Sequence, residues 1–236
     1  MQNVFAVARR EFVSYFNSPI AYLVVAAYLI LSGELFFREL FLGGQADMRG
    51  FFGMAPLLFC FFTPLITMRL LAEERAQGTL ELLLTMPVTD WQVVIGKFFA
   101  STGLIAVLLL LSLAFPLSVG ALGPIDKGAT VAAYVGMLLM SGTYAAIGLM
   151  TSAFTRNQIV AGILAMFIGF VLFIVGAEVQ VMPPWLAPIC NAISIQTHFM
   201  NIARGVIDSR DVLYYVSVIL GCLVVAQTTL ESRRWR

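Results

Sequence analysis

Long apolar runs separated by short polar connectors constrain this chain more than any other feature. Several runs reach the ~20 residues that a helix needs to cross the hydrocarbon core of a bilayer. Hydrophobic residues make up 60% of the 236 residues, charged residues only 11%, and the mean hydropathy is +0.93, which excludes an ordinary soluble domain. We therefore predict an all-α polytopic membrane protein with six transmembrane helices, at residues 19–37, 51–71, 93–121, 128–153, 158–177 and 212–230.

The first residues, 2–17, have the periodicity of an amphipathic helix. Phe5 and Phe12 fall on one side of that helix, and Arg10 falls on the other. A cleaved signal peptide is disfavoured because Glu11 interrupts the positive segment and no small-residue cleavage site follows. The pattern predicts an N-terminal elbow helix that lies flat at the membrane surface.

The densest polar patch, residues 69–97, joins the second and third predicted spans. Gly78 is expected to end a first helix, because glycine readily leaves the helical conformation. Thr79 is a candidate N-cap for a second short helix, with Glu81 in its first turn, where the helix dipole favours a negative charge. Pro87 is expected to end that helix. The segment is therefore predicted to form a short structured helix outside the bilayer.

This short helix would carry an apolar surface formed by Leu80, Leu82, Leu83 and Leu84. Thr89 and Gln92 then have the spacing of a capping box, which predicts the start of the third span. Leucines on a helix outside the bilayer need a cover, and another protein is one candidate. The alternative is an ordinary amphipathic connector that rests on the membrane.

Several motifs along the chain resemble those of ABC-2-type transporter permeases, and most closely those of the gliding-motility-type subfamily. The central motif is E-E-R-x-x-G-T-L-E-L-L-L-T-x-P-V, which starts at Glu73 and is followed by W-Q-V-V-I-G-K from Trp91. The other motifs are S-P-I-A-Y at residues 18–22, T-R-N-Q-I-V-A at 155–161, R-G-V-I-D-S-R-D at 204–211 and T-L-E-S-R-R-W at 229–235. The resemblance covers nearly the whole chain and implies that residues 1–236 form a single ABC-2 permease transmembrane domain.

The resemblance implies a cytoplasmic coupling helix, in segment 73–90, that docks into a groove of an ATP-hydrolysing partner. The residues expected at that interface are Glu73, Glu74, Arg75, Gly78, Thr79, Leu80, Glu81, Leu83 and Pro87. It also implies two ABC ATPase subunits and a second permease subunit, identical or, as the resemblance favours, distinct. ATP and Mg would bind the partner ATPase, and no cofactor is expected on this chain, which contains no G-x-x-x-x-G-K-[ST] motif.

Residues 178–204 are too short and too polar to add another span, and Pro183 and Pro184 interrupt any helix. By resemblance, this stretch corresponds to an outer-face hairpin before the last span, with Glu178, Trp185 and His198 as its candidate functional residues. A single histidine makes no metal site, and the three scattered cysteines suggest neither a metal centre nor a disulfide framework.

The distribution of lysine and arginine predicts the orientation. With six spans, both termini lie on one side, which collects nine of these residues, whereas the other side has five. Positive charge accumulates on the cytoplasmic side, so both termini and segment 69–97 are predicted to be cytoplasmic. The expected location is the bacterial inner membrane, and the net charge of +1 gives no indication of a nucleic-acid partner.

The leading hypothesis is a non-catalytic permease subunit of an ATP-driven exporter or of a gliding-motility or envelope complex. A membrane anchor that transports nothing remains an alternative. A secondary transporter is less favoured, since predicted spans four and five contain no charged residue. Small residues spaced by four, Ala161, Ala165 and Gly169, predict close helix packing, either within the chain or in a dimer with the second permease.

Overall fold

The computed structural model describes residues 2–44, 47–79, 89–177, 183 and 185–234, and these residues form helices without any strand. The helices are α1 (Gln2–Phe16), α2 (Pro19–Gly43), α3 (Arg49–Thr67), α4 (Ala72–Ala76), α5 (Asp90–Ser112), α6 (Ala114–Leu122), α7 (Lys127–Phe154), α8 (Gln158–Ala177), α9 (Ala187–Ile193), α10 (Ile195–Ala203) and α11 (Ser209–Arg234).

Six helical stretches are long and apolar enough to cross a membrane, judged by length and composition. They are Pro19–Gly43, Arg49–Ala76, Asp90–Leu122, Lys127–Phe154, Gln158–Ala177 and Ser209–Ser232. The predicted all-α architecture with six spans is confirmed.

Local sequence signals set several helix ends. Ser18 caps α2, with its Oγ accepting from Ile20 N at 3.4 Å, and Pro19 occupies the first turn, where its missing N–H costs nothing. At the other end, Gly44 takes the left-handed conformation, with φ of 62°, and donates to the Leu40 carbonyl. Thr89 and Gln92 form the predicted capping box at the start of α5.

The third span differs from the continuous helix that the sequence predicts, because it divides into α5 and α6. The cause is Pro116, which has no N–H to donate to the carbonyl four residues earlier, that of Ser112. The Tyr134 hydroxyl of α7 donates to this carbonyl instead, at 3.0 Å. The helix break is thus compensated by a neighbouring span.

The central helix of the bundle is α7, which packs against α3, α5, α8, α10 and α11. Residues 141–149 are all buried, although a helix in a small bundle normally keeps one exposed face. Small side chains permit this close approach: a Cβ added at Gly148 would lie 1.9 Å from Thr67 Oγ1. The peripheral helices α2, α8 and α11 instead expose large apolar side chains, the expected surface for lipid.

The connections alternate between two ends of the bundle. One cavity is lined by residues from three connections, within 47–52, 124–130 and 200–204. These connections therefore share one end of the bundle, which we call the hairpin end because α9 and α10 lie near it. Helices α1 and α4 and the connection between α7 and α8 meet at the opposite end, which we call the α1 end. Helix α11 starts beside α10 and is ~39 Å long, so its last residues reach the α1 end.

Helix α1 packs lengthwise along the start of α5, with the closest approach where Val7 meets Gly96 and Phe12 meets Gly103. The third span, of 33 residues, is longer than the ~20 residues that cross the hydrocarbon core. The elbow helix that lies flat at the membrane surface stays a prediction. Its buried residues include Val7 and Tyr15, whereas Phe5 is 72% exposed.

Candidate functional site

The site lies at the α1 end, where the chain leaves the second span. Between α3 and α4 the backbone turns, and a buried serine of α7 holds the turn in place. Ser152 Oγ accepts from the backbone N–H of Leu71 at 3.0 Å and of Ala72 at 2.9 Å, and donates to the Met68 carbonyl at 3.0 Å. One hydroxyl thus satisfies three backbone groups that the end of a helix would otherwise leave unpaired.

Helix α4 is held to the far end of α7 by a second polar contact. The Arg75 guanidinium donates to the carbonyl oxygens of Ala153, in the last turn of that span, and of Thr155, which directly follows it. Two residues after α4, Gly78 has a φ of 72°, a left-handed conformation that favours glycine, and it ends the helical path as the sequence predicts. The three residues that follow Ala76, namely Gln77, Gly78 and Thr79, are exposed.

Four charged side chains form a cluster, which we call the Lys97 cluster: Arg10 and Glu11 of α1, Glu74 of α4 and Lys97 of α5. Lys97 Nζ lies 2.8 Å from Glu74 Oε1 and 3.3 Å from Glu11 Oε2, and its side chain is fully buried. Arg10 Nη2 lies 2.7 Å from Glu11 Oε1 and 3.6 Å from Glu74 Oε1. The cluster joins three helices that are far apart in sequence.

The electrostatics of the Lys97 cluster are balanced, with two cations facing two carboxylates. Burial raises the pKa of Glu11, but the charges of Lys97 and Arg10 outweigh it and hold this pKa below its ordinary value of 4.5. Lys97 is desolvated completely, a cost that only close opposite charges offset. The members of the cluster therefore depend on one another, since removal of one leaves its buried partners with less compensation.

A cavity of about 640 Å³ lies beside this cluster, between α1 and α4. Arg69 reaches into it, with its guanidinium carbon 5.1 Å from the centroid of the Tyr15 ring and Nη1 donating to Ser18 Oγ at 3.3 Å. The Tyr15 hydroxyl donates to the Ile66 carbonyl at 3.1 Å, and burial raises the pKa of this phenol. Arg69 and Tyr15 thus hold α1 against the end of α3.

The residues predicted at the ATPase interface divide into three groups. Glu73, Glu74 and Arg75 are partly buried, and each contacts its own chain. Gly78 and Thr79 are exposed, and the Thr79 hydroxyl donates to the Glu74 carbonyl at 3.3 Å. The remaining four, Leu80, Glu81, Leu83 and Pro87, lie outside the described residues.

At the hairpin end, His198 belongs to a polar cluster that the sequence does not indicate. Its Nδ1 lies 2.6 Å from Oδ1 of the buried Asp211, which also accepts from Asn201 Nδ2 at 3.4 Å. The His198 ring stacks on Tyr214 with 4.0 Å between centroids. These contacts attach α10 to the start of α11. Trp185 is 73% exposed, and Glu178 lies outside the described residues.

The small-residue stripe of α8 packs inside the chain. Ala161 and Ala165 are buried, and a Cβ added at Gly169 would lie 3.0 Å from the Tyr144 ring and 3.3 Å from Cys60 Sγ. The stripe therefore serves the contact of α8 with α3 and α7. In this structure it is not accessible to a second subunit.

The sequence predicts Lys97 only as a member of the polar patch and of the W-Q-V-V-I-G-K motif, and it predicts no role in the site for Glu11 or Ser152. A signal was present for Lys97, which is an isolated charge in apolar surroundings with no opposite charge three or four residues away. An isolated buried charge implies a distant partner. In the described part of the chain, no three His, Cys, Asp or Glu residues come together as a metal site would require.

Comparison with known protein families agrees with this architecture. A family model described as "ABC-2 family transporter protein" matches residues 39–228, which include the second to fifth spans completely, most of the sixth and only the end of the first. The chain belongs to the ABC-2 transporter family. No curated protein matches it. The matched region of this ABC-2 membrane protein includes Arg69, Glu74 and Lys97 and excludes α1, which supplies Arg10 and Glu11.

Proposed function

We propose that this ABC-2 family protein is the permease subunit of an ATP-driven transporter, in which segment 78–88 docks on a partner ATPase. The observation that supports it is the asymmetry of the coupling segment. Its first part is held by α1, α5 and α7 through Glu74, Arg75 and Ser152, whereas Gln77, Gly78 and Thr79 are exposed.

This arrangement suits the transmission of motion. A displacement of segment 78–88 would act on α7 through the two carbonyl contacts of Arg75, and on α5 and α1 through the Lys97 cluster. Packed cores respond to such displacements by changing between discrete arrangements rather than by continuous deformation. The contact residues Glu74 and Arg75 therefore have a transmitting role in this proposal, and the docking surface begins at Gly78.

A secondary transporter is less consistent with the structure. Such proteins place ionisable groups near the bilayer midplane. The fully buried lysine, Lys97, lies in the eighth position of a 33-residue span, near one end of that span and away from its middle. Its partners Glu11 and Glu74 belong to helices at the same end.

Docking can be tested by purifying the tagged chain from native membranes and labelling the associated proteins with a photoreactive ATP analogue. We expect a labelled ATPase with the wild-type chain and its loss with Glu81→Lys or Leu83→Asp, since the first change reverses a charge on the docking surface and the second introduces one. Glu231→Lys is the matched control, because Glu231 is an exposed carboxylate at the α1 end of α11. Undiminished labelling with both test variants would refute the docking surface.

Transmission is separated from docking by a second measurement. Glu74→Gln removes the negative charge that faces Lys97 and leaves segment 78–88 unchanged. We expect this variant to retain the labelled ATPase while substrate-independent ATP turnover of the complex changes by about tenfold, the equivalent of ~1.4 kcal/mol. A membrane anchor without a transmitting role would show the same turnover for wild type and Glu74→Gln.

The proposal places the α1 end and both termini in the cytoplasm. Single cysteines at Gln77 and Ser232 should be protected in intact cells from a thiol reagent that cannot cross the membrane, and one at exposed Trp185 should react. Labelling of position 77 in intact cells would contradict this orientation.

A further inference from the structure

The cavity at the α1 end contains two charges that lack an opposite partner. Arg69 and Glu73 both line it, one helical turn apart in sequence, yet no ion pair within 4.0 Å involves either of them in the described part of the chain. The other charged residues of the lining are the four members of the Lys97 cluster, which balance one another. One cation and one carboxylate are thus left facing the same space.

The donor groups of Arg69 are only partly used. Its guanidinium lies over the Tyr15 ring and donates to Ser18 Oγ, which leaves further N–H donors of its five for a ligand. A guanidinium held in this way is suited to phosphate, because its fork of donors matches two oxygens at once. Glu73 accepts from Gln77 at 3.3 Å and retains acceptor capacity for an ammonium group.

The cavity also adjoins the start of the first span, where lipid headgroups would contact the protein in a bilayer. Ser18 directly precedes the first span, and the neighbouring residues Ile20, Tyr22 and Leu23 are 44%, 58% and 69% exposed, as lipid-facing side chains would be. A narrow apolar crevice of about 10 Å³ shares Tyr15 and Arg69 with the cavity and continues between Val24 and Leu65. Its size admits a single group the size of a methylene, at the start of an acyl chain, and not a whole chain.

We propose that this cavity binds a zwitterionic phospholipid whose headgroup carries a phosphate and a primary ammonium, as phosphatidylethanolamine does. Arg69 binds the phosphate, Glu73 accepts from the ammonium, and the crevice beside Val24 receives the start of an acyl chain. The bound lipid fills the space between α1 and α4 and so supports the packing of the coupling segment. The inference requires only that the chain is embedded in a bilayer, and it does not depend on an ATPase docking at segment 78–88.

The test is native mass spectrometry of the full chain released from nanodiscs that contain equal parts of phosphatidylethanolamine, phosphatidylglycerol and phosphatidylcholine. We expect wild type to retain phosphatidylethanolamine preferentially. Arg69→Gln should reduce retention of all three lipids by about tenfold, the usual effect of losing one charged hydrogen bond. Glu73→Gln should keep phospholipid binding and lose the preference for the primary ammonium over the quaternary ammonium of phosphatidylcholine.

Arg9→Gln and Glu231→Gln are the matched controls, because both residues are exposed at the α1 end and neither lines the cavity. Arg69→Lys replaces Arg69→Gln as the test variant if Arg69→Gln does not fold. Lysine keeps the positive charge but lacks the paired donors of the guanidinium, so lipid retention should be intermediate. Soluble phosphoethanolamine, added as a competitor, should fail to displace the lipid. Equal retention by wild type, Arg69→Gln and Arg69→Lys would overturn the proposal, and displacement by the soluble headgroup would overturn its acyl-chain part.

Discussion

Replacement of Lys97 by methionine tests whether the Lys97 cluster holds the three helices together. Methionine has a similar length and helix propensity but carries no charge, so the change removes the cation and little of the packing volume. Glu11 and Glu74, whose side chains are only 16% and 19% exposed, would then face each other without the ammonium between them.

The magnitude follows from the geometry. Removing one partner of a buried ion pair costs about 3–5 kcal/mol. Arg10 remains 2.7 Å from Glu11 and compensates part of the loss, so we expect the lower end, about 3 kcal/mol in the free energy of unfolding. For a chain of this size, that corresponds to a fall in melting temperature of roughly 6–12 °C.

The assay is thermal unfolding of the detergent-solubilised protein, with Lys127→Met as the matched control. Lys127 is also the lysine of a span but is exposed at the start of α7, so its change should stay within about 0.5 kcal/mol. A double-mutant cycle adds Glu74→Gln, and the Lys97→Met/Glu74→Gln protein should lose at least about 1 kcal/mol less than the sum of the single changes. Additive losses, or a Lys97→Met protein as stable as the control, would refute the cluster as a joint between α1, α4 and α5.

Two further outcomes follow from other residues. Because the folded-state pKa of Glu11 lies below its ordinary value of 4.5, its ion pairs stabilise the protein fully above pH 4.5 and progressively less as pH falls through the folded-state pKa. Glu11→Gln should therefore reduce the fall in melting temperature that occurs as the pH is lowered below 4.5. An unchanged fall would show that other carboxylates cause it. Ala165→Trp should prevent close packing of α8 and destabilise the solubilised single chain, whereas Ile163→Trp, at a position 59% exposed, should be tolerated. Equal melting temperatures of these two variants would contradict the inward placement of the small stripe.

The sequence was sufficient to predict the number of spans and several of their ends, because these depend on local signals. Apolar length identified the spans, and Ser18, Gly78 and the Thr89–Gln92 box act within a few residues of the helix ends they determine. The break at Leu113 was missed, although Pro116 was visible, because prolines are common in membrane helices and the replacement donor, Tyr134, lies on another span.

The contacts of the candidate site could not be predicted in the same way. Ser152 and the Leu71 N–H are 81 residues apart, and Lys97 and Glu74 are 23 residues apart across a connection. Such pairs depend on the relative rotation of packed helices, which hydrophobic periodicity restricts only loosely when a span is apolar on every side. The His198–Asp211 contact was missed for the same reason, since a lone histidine near a span end has no local sequence pattern that names its partner.

The small-residue stripe of α8 faces the inside of the chain, so it does not offer a contact surface for a second permease subunit. Small residues at spacing four allow close approach of two helices, but here Ala161, Ala165 and Gly169 are already in contact with the chain's own core. The surface that α8 leaves exposed consists of large side chains such as Ile159 and Phe167, which suit lipid as well as a protein partner. In the proposed function, a motor with two ATPase subunits needs two docking segments, and the proposal assigns one of them to this chain. We therefore infer that a second permease is required by the coupling mechanism, and that its contact surface uses large exposed apolar side chains and not the small stripe.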